Sequence, residues 1–277
     1  MVEIINRFTH SIRMADTLYG KMLYNHNCIY LGRALEVYGE YNENENSVYR
    51  QVIKPEDVVW EIGSNAGEQT VLLSQLANKG KVISFEPQNE IFKILSGNLC
   101  INNCNNVYPH NFALGAENTT MKMPFVNYDV PGNYGGVSLL TNTNEFLDVQ
   151  VEVRTADSLY WLPKPNFMKI DVEGMELEVL KGAKAIIRQN QPLMYIENDR
   201  PEKSEALIQY LWDLDYKCFW HLTLLFNENN FLKNRVNIYG NISNLNMFCI
   251  PNSQEWDLKG MEEVKDKHYH PYGNNNA

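Results

Sequence analysis

From Val52 onward, short apolar runs alternate with longer amphipathic stretches along the chain. This alternation is typical of βαβ units, in which helices cover both faces of a mostly parallel sheet. The predicted core strands span residues 58–62, 81–85, 107–112, 167–171, 193–197, 216–220 and 247–250. The predicted helices span residues 70–77, 89–102, 175–190 and 203–213. The pattern therefore predicts a doubly wound α/β fold.

The first part of the chain departs from this alternation. Ile12, Tyr19 and Leu23 are spaced loosely as they would be on helices. Residues 1–50 are therefore expected to form an N-terminal helical cap on a main domain that spans residues 51–254.

Two further segments stand apart from the core pattern. Residues 121–150 form a loop-rich insertion in the main domain, and strand character returns at residues 149–154 as an extra strand. Residues 255–277 are polar, so we expect a flexible tail in which His268 and His270 are solvated.

The composition narrows the class of protein. The 277 residues are 44% hydrophobic and 12% aromatic, which is enough to bury a sizeable core. No apolar run is long enough to predict a membrane span, and the first residues predict no secretion signal. The formal net charge of −10 disfavours a nucleic acid partner and favours a small neutral or sugar-like acceptor.

The five cysteines are odd in number and scattered along the chain. This distribution fits reduced thiols in a cytoplasmic protein better than a disulfide framework. Cys100 and Cys104 could share a helix face, but no second pair of ligands lies nearby in sequence. Ordinary cysteines are therefore favoured over a zinc site.

The segment after the first predicted strand has the chemistry of a cofactor site. Gly63 and Gly67 allow a sharp turn and the close approach of a bulky ligand. Glu86 ends the second predicted strand, where a carboxylate can accept hydrogen bonds from both hydroxyls of a ribose. A dinucleotide site would need glycine in place of Asn65, and Glu61 would repel a pyrophosphate. Because Glu61 suits the cationic amino-acid end of S-adenosylmethionine, these residues favour a methyl donor over a dinucleotide.

Four segments in this order resemble the FkbM family of methyltransferases, within a similarity that extends over roughly residues 39–251. They are residues 61–67 (EIGSNAG), 85–87 (FEP), 113–115 (ALG) and 169–176 (KIDVEGME). The block at residues 169–174 is the most specific of them. Glu61 and Ser64 depart from the family, in which Asp and Ala are common, but the longer carboxylate should serve the same purpose.

The resemblance implies a Rossmann-like class I methyltransferase fold with a seven-stranded, mostly parallel sheet and a reversed last strand. It also implies O-methylation, often of sugars or of secondary-metabolite hydroxyls. The glycine turn would hold the methionine portion of the cofactor, Glu86 the ribose, and the residues after the third strand the adenine. The cofactor-binding residues expected on this basis are Glu61, Gly63, Asn65, Gly67, Glu86, Asn111, Ala113 and Asp171.

Oxygen-bearing side chains end two neighbouring predicted strands, with Asp171 after one and Glu197 and Asn198 after the other. If these ends converge, the three residues could bind Mg²⁺ or Mn²⁺, which would lower the pKa of an acceptor hydroxyl. In the alternative, Asp171 and Glu173 orient loops or substrate hydroxyls by hydrogen bonding. Asp171 and Glu173 are candidate catalytic residues in both cases, and Glu197 and Asn198 are candidate substrate contacts.

Two loops are candidate walls of the acceptor site. His221 titrates near neutrality and could act as a general base, although a histidine beside aromatic residues is often structural. Asn227 and Asn230, in the following loop, could hydrogen-bond a polyol. Asn133 and Tyr134 in the insertion form a second candidate wall. Either loop could instead contact another subunit of an oligomer.

These observations favour an S-adenosylmethionine-dependent O-methyltransferase acting on a sugar or glycan hydroxyl. A lipid or secondary-metabolite hydroxyl is the alternative acceptor, and a more apolar acceptor site would favour it. A non-catalytic binding domain of the same fold is a third hypothesis, which the intact set of cofactor residues disfavours.

Overall fold

The computed structural model describes residues 11–140, 148–256 and 260–273. In chain order, its strands are β1 (Ile12–Thr17), β2 (Gly20–Asn25), β3 (Val58–Ile62), β4 (Lys81–Phe85), β5 (Val107–His110), β6 (Ala113–Leu114), β7 (Thr119–Met123), β8 (Val149–Arg154), β9 (Phe167–Ile170), β10 (Leu193–Glu197), β11 (Tyr216–Leu224), β12 (Ser243–Pro251) and β13 (Glu262–Glu263). Its helices are α1 (Leu31–Val37), α2 (Glu43–Val52), α3 (Glu68–Leu76), α4 (Asn89–Ile101), α5 (Glu176–Gly182), α6 (Lys184–Asn190) and α7 (Pro201–Asp213).

The central sheet has the strand order β13-β11-β12-β10-β9-β3-β4-β5. The strands from β5 to β10 pair in parallel, whereas β12 runs antiparallel to both β10 and β11. This confirms the seven-stranded, mostly parallel sheet with its last long strand reversed. The two-residue strand β13 adds an eighth strand at the edge.

Successive residues of the central strands alternate between two apolar cores on opposite faces of the sheet. Val59 and Tyr195 belong to the core that also contains residues of α2, α3 and α4. Trp60 and Met168 belong to the other core, which contains residues of α5, α6 and α7. Because both faces are covered, these strands are continuous apolar runs, which is why the sequence pattern located them so closely.

The prediction of an N-terminal helical cap is wrong for the first half of that segment. Strands β1 and β2 form an antiparallel hairpin, and only residues 31–52 are largely helical. The amide of Asn98 on α4 both donates to and accepts from the backbone of Leu23, which holds the hairpin edge against that helix. Tyr19 lies in the turn and Leu23 in β2, so their helix-like spacing arises from a hairpin.

The insertion contributes a second, smaller sheet. Strand β8 confirms the extra strand at residues 149–154, and it pairs with β6 and β7. The predicted strand 107–112 is shorter in the structure, because β5 ends at His110. The predicted helix 175–190 divides at Ala183 into α5 and α6.

The described part of the polar tail packs on the sheet, contrary to the prediction of flexibility. Strand β13 pairs with β11, and Val264 is buried in the core. His270, wrongly expected to be solvated, is only 5% exposed and donates from Nε2 to the Asn198 carbonyl at 3.0 Å. His268 is largely exposed, as expected, and its Nδ1 lies 3.3 Å from Glu205 Oε2.

Within the described ranges, none of the helices is both long and apolar enough to cross a bilayer. All five cysteines are free thiols, and four of them are buried. No metal-binding group that the described residues form includes Cys100 or Cys104.

Candidate functional site

A cavity of about 290 Å³ opens beyond the carboxyl ends of β3, β4, β9 and β10. Open α/β sheets bind ligands at this edge, where the strand order reverses. The ends of β3 and β9 approach each other so closely that a Cβ atom on Gly63 would lie 1.7 Å from the backbone oxygen of Asp171. Only glycine is therefore compatible with this contact.

The turn between β3 and α3 uses three residues in the left-handed region. Gly63 and Gly67 have φ angles of 87° and 88°, and Asn65 has a φ of 48°. A Cβ atom on Gly67 would lie 2.6 Å from a methyl carbon of Leu95. Gly63 and Asn65 line the cavity, whereas Gly67, predicted as a cofactor contact, does not and packs against Leu95 instead.

Glu86 lines the cavity at the end of β4 and is only 4% exposed. Its Oε1 accepts a hydrogen bond from the backbone N–H of Gln88 at 2.8 Å, and its Oε2 accepts one from Asn65 at 3.0 Å. Burial raises the pKa of this carboxyl to about 7. The backbone bonds fix the orientation of the group and leave lone pairs on both oxygens for a ligand.

Glu61 is fully buried near the end of β3. Its Oε2 accepts a hydrogen bond from the Thr70 hydroxyl at 2.5 Å, but its Oε1 has no partner. Burial raises the pKa of Glu61 to about 7, although the charge of Lys169 opposes the shift. Glu61 does not line the cavity, so the structure does not bring this carboxyl against a ligand as predicted.

Glu68, the first residue of α3, was not predicted as a site residue. It lines the cavity, and its Oε2 is buried without a hydrogen-bond partner. Burial raises its pKa to about 8. The sequence could have predicted this site residue from its position directly after the glycine turn, because the start of this helix faces the edge of the sheet where ligands bind.

Lys169 begins the most specific motif, residues 169–174, but was not predicted as a site residue. Its Nζ lies 3.0 Å from Asp171 Oδ2 and donates to the Gly63 carbonyl at 3.1 Å. Burial lowers its pKa, but the charges of Asp171 and Glu61 outweigh that effect and raise the pKa above its usual value. Lys169 therefore remains a cation in the floor of the cavity.

Asp171, Glu173 and Glu197 converge in the cavity, with one carboxylate oxygen from each within 4.8 Å of the others. Arg200 donates to Glu173 at 2.5 Å and to Glu197 at 3.3 Å. Burial and the charge of Asp171 raise the pKa of Glu173 to about 7. Burial and the same charge also raise the pKa of Glu197 well above its usual value. The cluster therefore holds one carboxyl that can exchange a proton near neutral pH.

The predicted metal ligand Asn198 is not in this cluster. Its side chain is 4% exposed, and its Nδ2 donates to the Ser204 hydroxyl at 2.9 Å. Because Glu197 and Asn198 are consecutive strand-end residues, their side chains point to opposite faces of the sheet. The role of Asn198 as a metal or substrate ligand is thus wrong, and Glu173 takes its place in the group.

His221 does not line the cavity, so the proposed general base is misplaced. It lies two strands from Glu197 at the same level of the sheet, since both residues pair with Asn246. Its Nδ1 is hydrogen-bonded to the Tyr195 hydroxyl at 2.7 Å, and burial lowers its pKa. These contacts favour the alternative interpretation, in which His221 is a structural residue beside aromatic side chains.

The two loops predicted to form walls of the acceptor site contribute few side chains to the cavity. Asn133 lines the cavity, but the Tyr134 side chain does not, because its hydroxyl donates to the Val130 carbonyl. Neither Asn227 nor Asn230 lines the cavity. Asn227 donates to Glu40 at 2.7 Å, and Asn230 bonds the backbone of its own loop, so both amides stabilise the loop.

Two residues predicted beside the adenine differ in position. Ala113 lines the cavity together with Leu114. Asn111 does not, because its amide donates to the backbone carbonyls of Glu86 and Pro87 at 2.9 and 3.2 Å. Asn111 therefore orders the turn that carries Glu86.

Residues 61–218, more than half of the chain, match the family described as the Methyltransferase FkbM domain. Two curated relatives match shorter parts of the chain. The "Hexuronic acid methyltransferase AglP" of Haloferax volcanii is 32% identical over 132 residues, which are 46% of this chain and 50% of that protein. "Methyltransferase 1" of Beauveria bassiana is 28% identical over 151 residues, which are 46% of this chain and 59% of that protein. The chain thus spans about half the length of the curated relatives it matches.

Among solved structures, the methyltransferase FkbM from Methylobacillus flagellatus KT is 20% identical in sequence. The alignment covers 71% of this chain and 44% of that chain, with a TM-score of 0.47.

Proposed function

Because this chain belongs to the FkbM methyltransferase domain family, we propose that it uses S-adenosylmethionine to methylate a hydroxyl group of a sugar or glycan. The observation that carries the proposal is the buried, unpartnered Oε2 of Glu68, which lines the cavity directly after the glycine turn. This oxygen marks a position for a cationic group of the ligand.

The residues present fit S-adenosylmethionine. Gly63 and Asn65 of the turn after β3 line the cavity, and Glu68 offers an unpartnered oxygen to an ammonium group. Both oxygens of Glu86 keep lone pairs for the two hydroxyls of a ribose. Ala113 and Leu114 offer apolar surface to an adenine.

S-adenosylmethionine, when bound, supplies a methyl group that is already activated for transfer. The chain therefore has to orient the acceptor hydroxyl and remove its proton. We assign proton acceptance to Glu173, because it lines the cavity beside Asp171 and because burial and the charge of Asp171 raise its pKa to about 7. Asp171, held in place by Lys169, is left to orient the hydroxyl.

A polar acceptor fits the lining of the cavity. Carboxyl groups and the amides of Asn42, Asn133 and Asn244 form much of its wall, and these groups suit hydroxyls better than a lipid chain. The net charge of −10 disfavours a nucleic acid acceptor. The name of the relative from Haloferax volcanii, a hexuronic acid methyltransferase, is consistent with a sugar acceptor.

The group of Asp171, Glu173 and Glu197 also allows a second hypothesis, in which it binds Mg²⁺ or Mn²⁺. We favour the metal-free mechanism, because Arg200 already supplies a positive charge to Glu173, Glu197 and Asp199. A divalent cation bound by Asp171, Glu173 and Glu197 would have to compete with this guanidinium for Glu173 and Glu197.

Calorimetric titration with S-adenosylhomocysteine tests the cofactor assignment. We expect micromolar binding that Glu86→Ala weakens by roughly 10-fold to 100-fold, since the variant removes two hydrogen bonds to a charged group. Glu90→Ala is the matched control, because Glu90 is an exposed carboxylate four residues away that pairs only with Lys93 among the described residues. Methyl transfer from S-adenosylmethionine to a panel of sugars then tests the acceptor.

The outcomes separate the parts of the proposal. A well-folded wild-type protein that does not bind S-adenosylhomocysteine would contradict methyltransferase activity. Binding without transfer to any sugar of the panel would leave the cofactor assignment intact and contradict the sugar acceptor.

A further inference from the structure

Two of the chain segments that line the cavity from outside the family region face each other across α2 and β12 with polar side chains. Tyr41 and Asn42 precede α2, and Ser243 and Asn244 begin β12. All four residues line the cavity and lie outside residues 61–218. They are therefore distinct from the turn and strand ends that would hold the cofactor.

Asn42 is in an unusual position for an N-cap residue. It precedes the first residue of α2 with a φ of 55°, yet its side chain makes no capping hydrogen bond. Its Oδ1 instead accepts a hydrogen bond from Asn244 Nδ2 at 3.1 Å. Among the described residues, its Nδ2 has no partner, so an amide donor remains available at the cavity wall.

Asn244 is fixed by a buried carboxylate beneath it. Glu45 is 3% exposed and accepts hydrogen bonds from Asn244 Nδ2 and from Gln69 Nε2. Both hydrogens of the Asn244 amide are thereby directed to Glu45 and Asn42. Its Oδ1, which has no donor among the described residues, is left as an acceptor next to the free Asn42 donor.

An amide donor beside an amide acceptor matches two neighbouring hydroxyls, since each hydroxyl both donates and accepts. The charge of the cavity lining selects further between neutral and anionic ligands that carry such hydroxyls. The charged residues that line the cavity are six carboxylic acids and one lysine: Glu68, Glu86, Asp171, Glu173, Glu197, Asp199 and Lys169. An acceptor with its own carboxylate would therefore meet a lining in which acidic side chains outnumber the one lysine.

We infer that Asn42 and Asn244 form an acceptor subsite for neighbouring hydroxyls of an uncharged sugar, with Glu45 as the residue that positions them. The inference rests on the proposed function and names the chemical class of its acceptor. It also separates this chain from an enzyme that would select a uronic acid.

Saturation-transfer difference NMR tests this subsite directly. The experiment uses protein whose cofactor site is fully occupied by S-adenosylhomocysteine. The probes are methyl α-D-glucopyranoside and the corresponding glucuronic acid methyl glycoside. We expect the neutral glycoside to bind and its uronate to bind about tenfold more weakly. Asn42→Gly and Asn244→Ala should each weaken binding of the neutral glycoside about tenfold, while binding of S-adenosylhomocysteine persists. Glycine at position 42 retains the left-handed backbone.

Asn246→Ala is the matched control. Asn246 donates to the same Glu45 oxygen at 3.2 Å and is buried on the same strand as Asn244, but it does not line the cavity. Loss of sugar binding in both subsite variants, with binding retained in Asn246→Ala, supports the subsite. An equal loss in Asn246→Ala would assign the network to stability and overturn the inference.

Two results with the wild-type protein would also overturn it. One is binding of S-adenosylhomocysteine without any signal from the neutral glycoside, and the other is stronger binding of the uronate. Both leave the proposed methyltransferase activity standing. Failure to bind S-adenosylhomocysteine would overturn the proposed function and this inference together.

Discussion

The buried ammonium group of Lys169 lies 3.0 Å from the carboxylate of Asp171, two positions further along the chain. Residues two apart on an extended segment share a face, so the cation and the anion reach the same cavity. Lys169 is 6% exposed and Asp171 31% exposed at their side chains. The pair therefore places a fixed positive charge under a carboxylate that a ligand can reach, and it sets the charge balance on which the following predictions depend.

The first prediction concerns the pH dependence of cofactor affinity. Glu68 must be ionised to bind an ammonium group, and burial raises its pKa to about 8. Affinity for S-adenosylhomocysteine should therefore rise from pH 6 to pH 8, by up to about tenfold per pH unit below that pKa. Glu68→Gln should flatten the rise, whereas Glu90→Gln should retain it. Calorimetry at three pH values measures the effect, and a flat wild-type profile would contradict the role of Glu68.

The second prediction concerns stability without cofactor. Burial raises the folded-state pKa of Glu61 and Glu86 to about 7 and that of Glu68 to about 8, above the unfolded value of about 4.3. Protons bind these groups more tightly in the folded state, so stability present below pH 4 is lost as pH rises toward 8.

The melting temperature without cofactor should therefore fall between pH 7 and pH 8.5. The pKa values of His221 and His270 are lowered by burial, so their opposite contribution is complete below this window. Scanning calorimetry measures the fall, and S-adenosylmethionine should raise the melting temperature at pH 8.5. An increase in melting temperature across this window would show that the carboxyl groups are ionised at no cost in the folded protein.

The third prediction distinguishes the two candidate bases. Glu173→Gln should lower kcat about 100-fold, because it removes the proton acceptor, and should leave S-adenosylhomocysteine affinity unchanged. His221→Asn should keep most of the wild-type kcat, because His221 does not line the cavity. The assay measures methyl transfer to a sugar that the wild type accepts. The opposite ranking of the two variants would return the base role to His221.

The fourth prediction concerns the contact between β3 and β9. Gly63→Ala would place a Cβ atom 1.7 Å from the Asp171 carbonyl at a φ of 87°, so it should destabilise the protein by about 3 kcal/mol or more. Gly97→Ala is the control, because its Cβ would meet only a flexible methyl of Leu23 and alanine favours the helix interior. Urea unfolding compares the two variants, and equal midpoints would contradict the close approach of the strand ends.

The fifth prediction concerns metal. Because Arg200 already binds Glu173 and Glu197, chelation with EDTA should leave methyl transfer unchanged, and added Mn²⁺ should not increase it. Arg200→Gln should lower activity through the loss of this charge. Activity that EDTA removes and Mn²⁺ restores would establish the metal hypothesis instead.

The sequence predicted those features that depend on neighbouring residues. Strand β10 was predicted at its observed bounds, because a strand buried on both faces is a continuous apolar run. Asn65 and Glu86 were found because a tight turn and a strand end have local signatures. The observed strand pairing is likewise the one expected for the family.

Features set by distant contacts were missed. His270 is buried by a hydrogen bond to a residue 72 positions away, which no local pattern reveals. The amides of Asn227 and Asn230 are equally suited to a ligand and to a loop, and only the position of Glu40 decides between them. Asn42 and Asn244 reach the cavity from opposite ends of the chain, so neither has a signature in its own segment.

The cavity is divided between residues 61–218 and residues outside that range, among them Asn42 and Asn244. With the inferred subsite, mutations at these two positions would change which acceptor is recognised while the residues of the methyl-donor half stay the same. Gene duplicates of this chain would then diverge in substrate through changes at a few positions. Chimeras that exchange only the segments around these positions would transfer the acceptor preference.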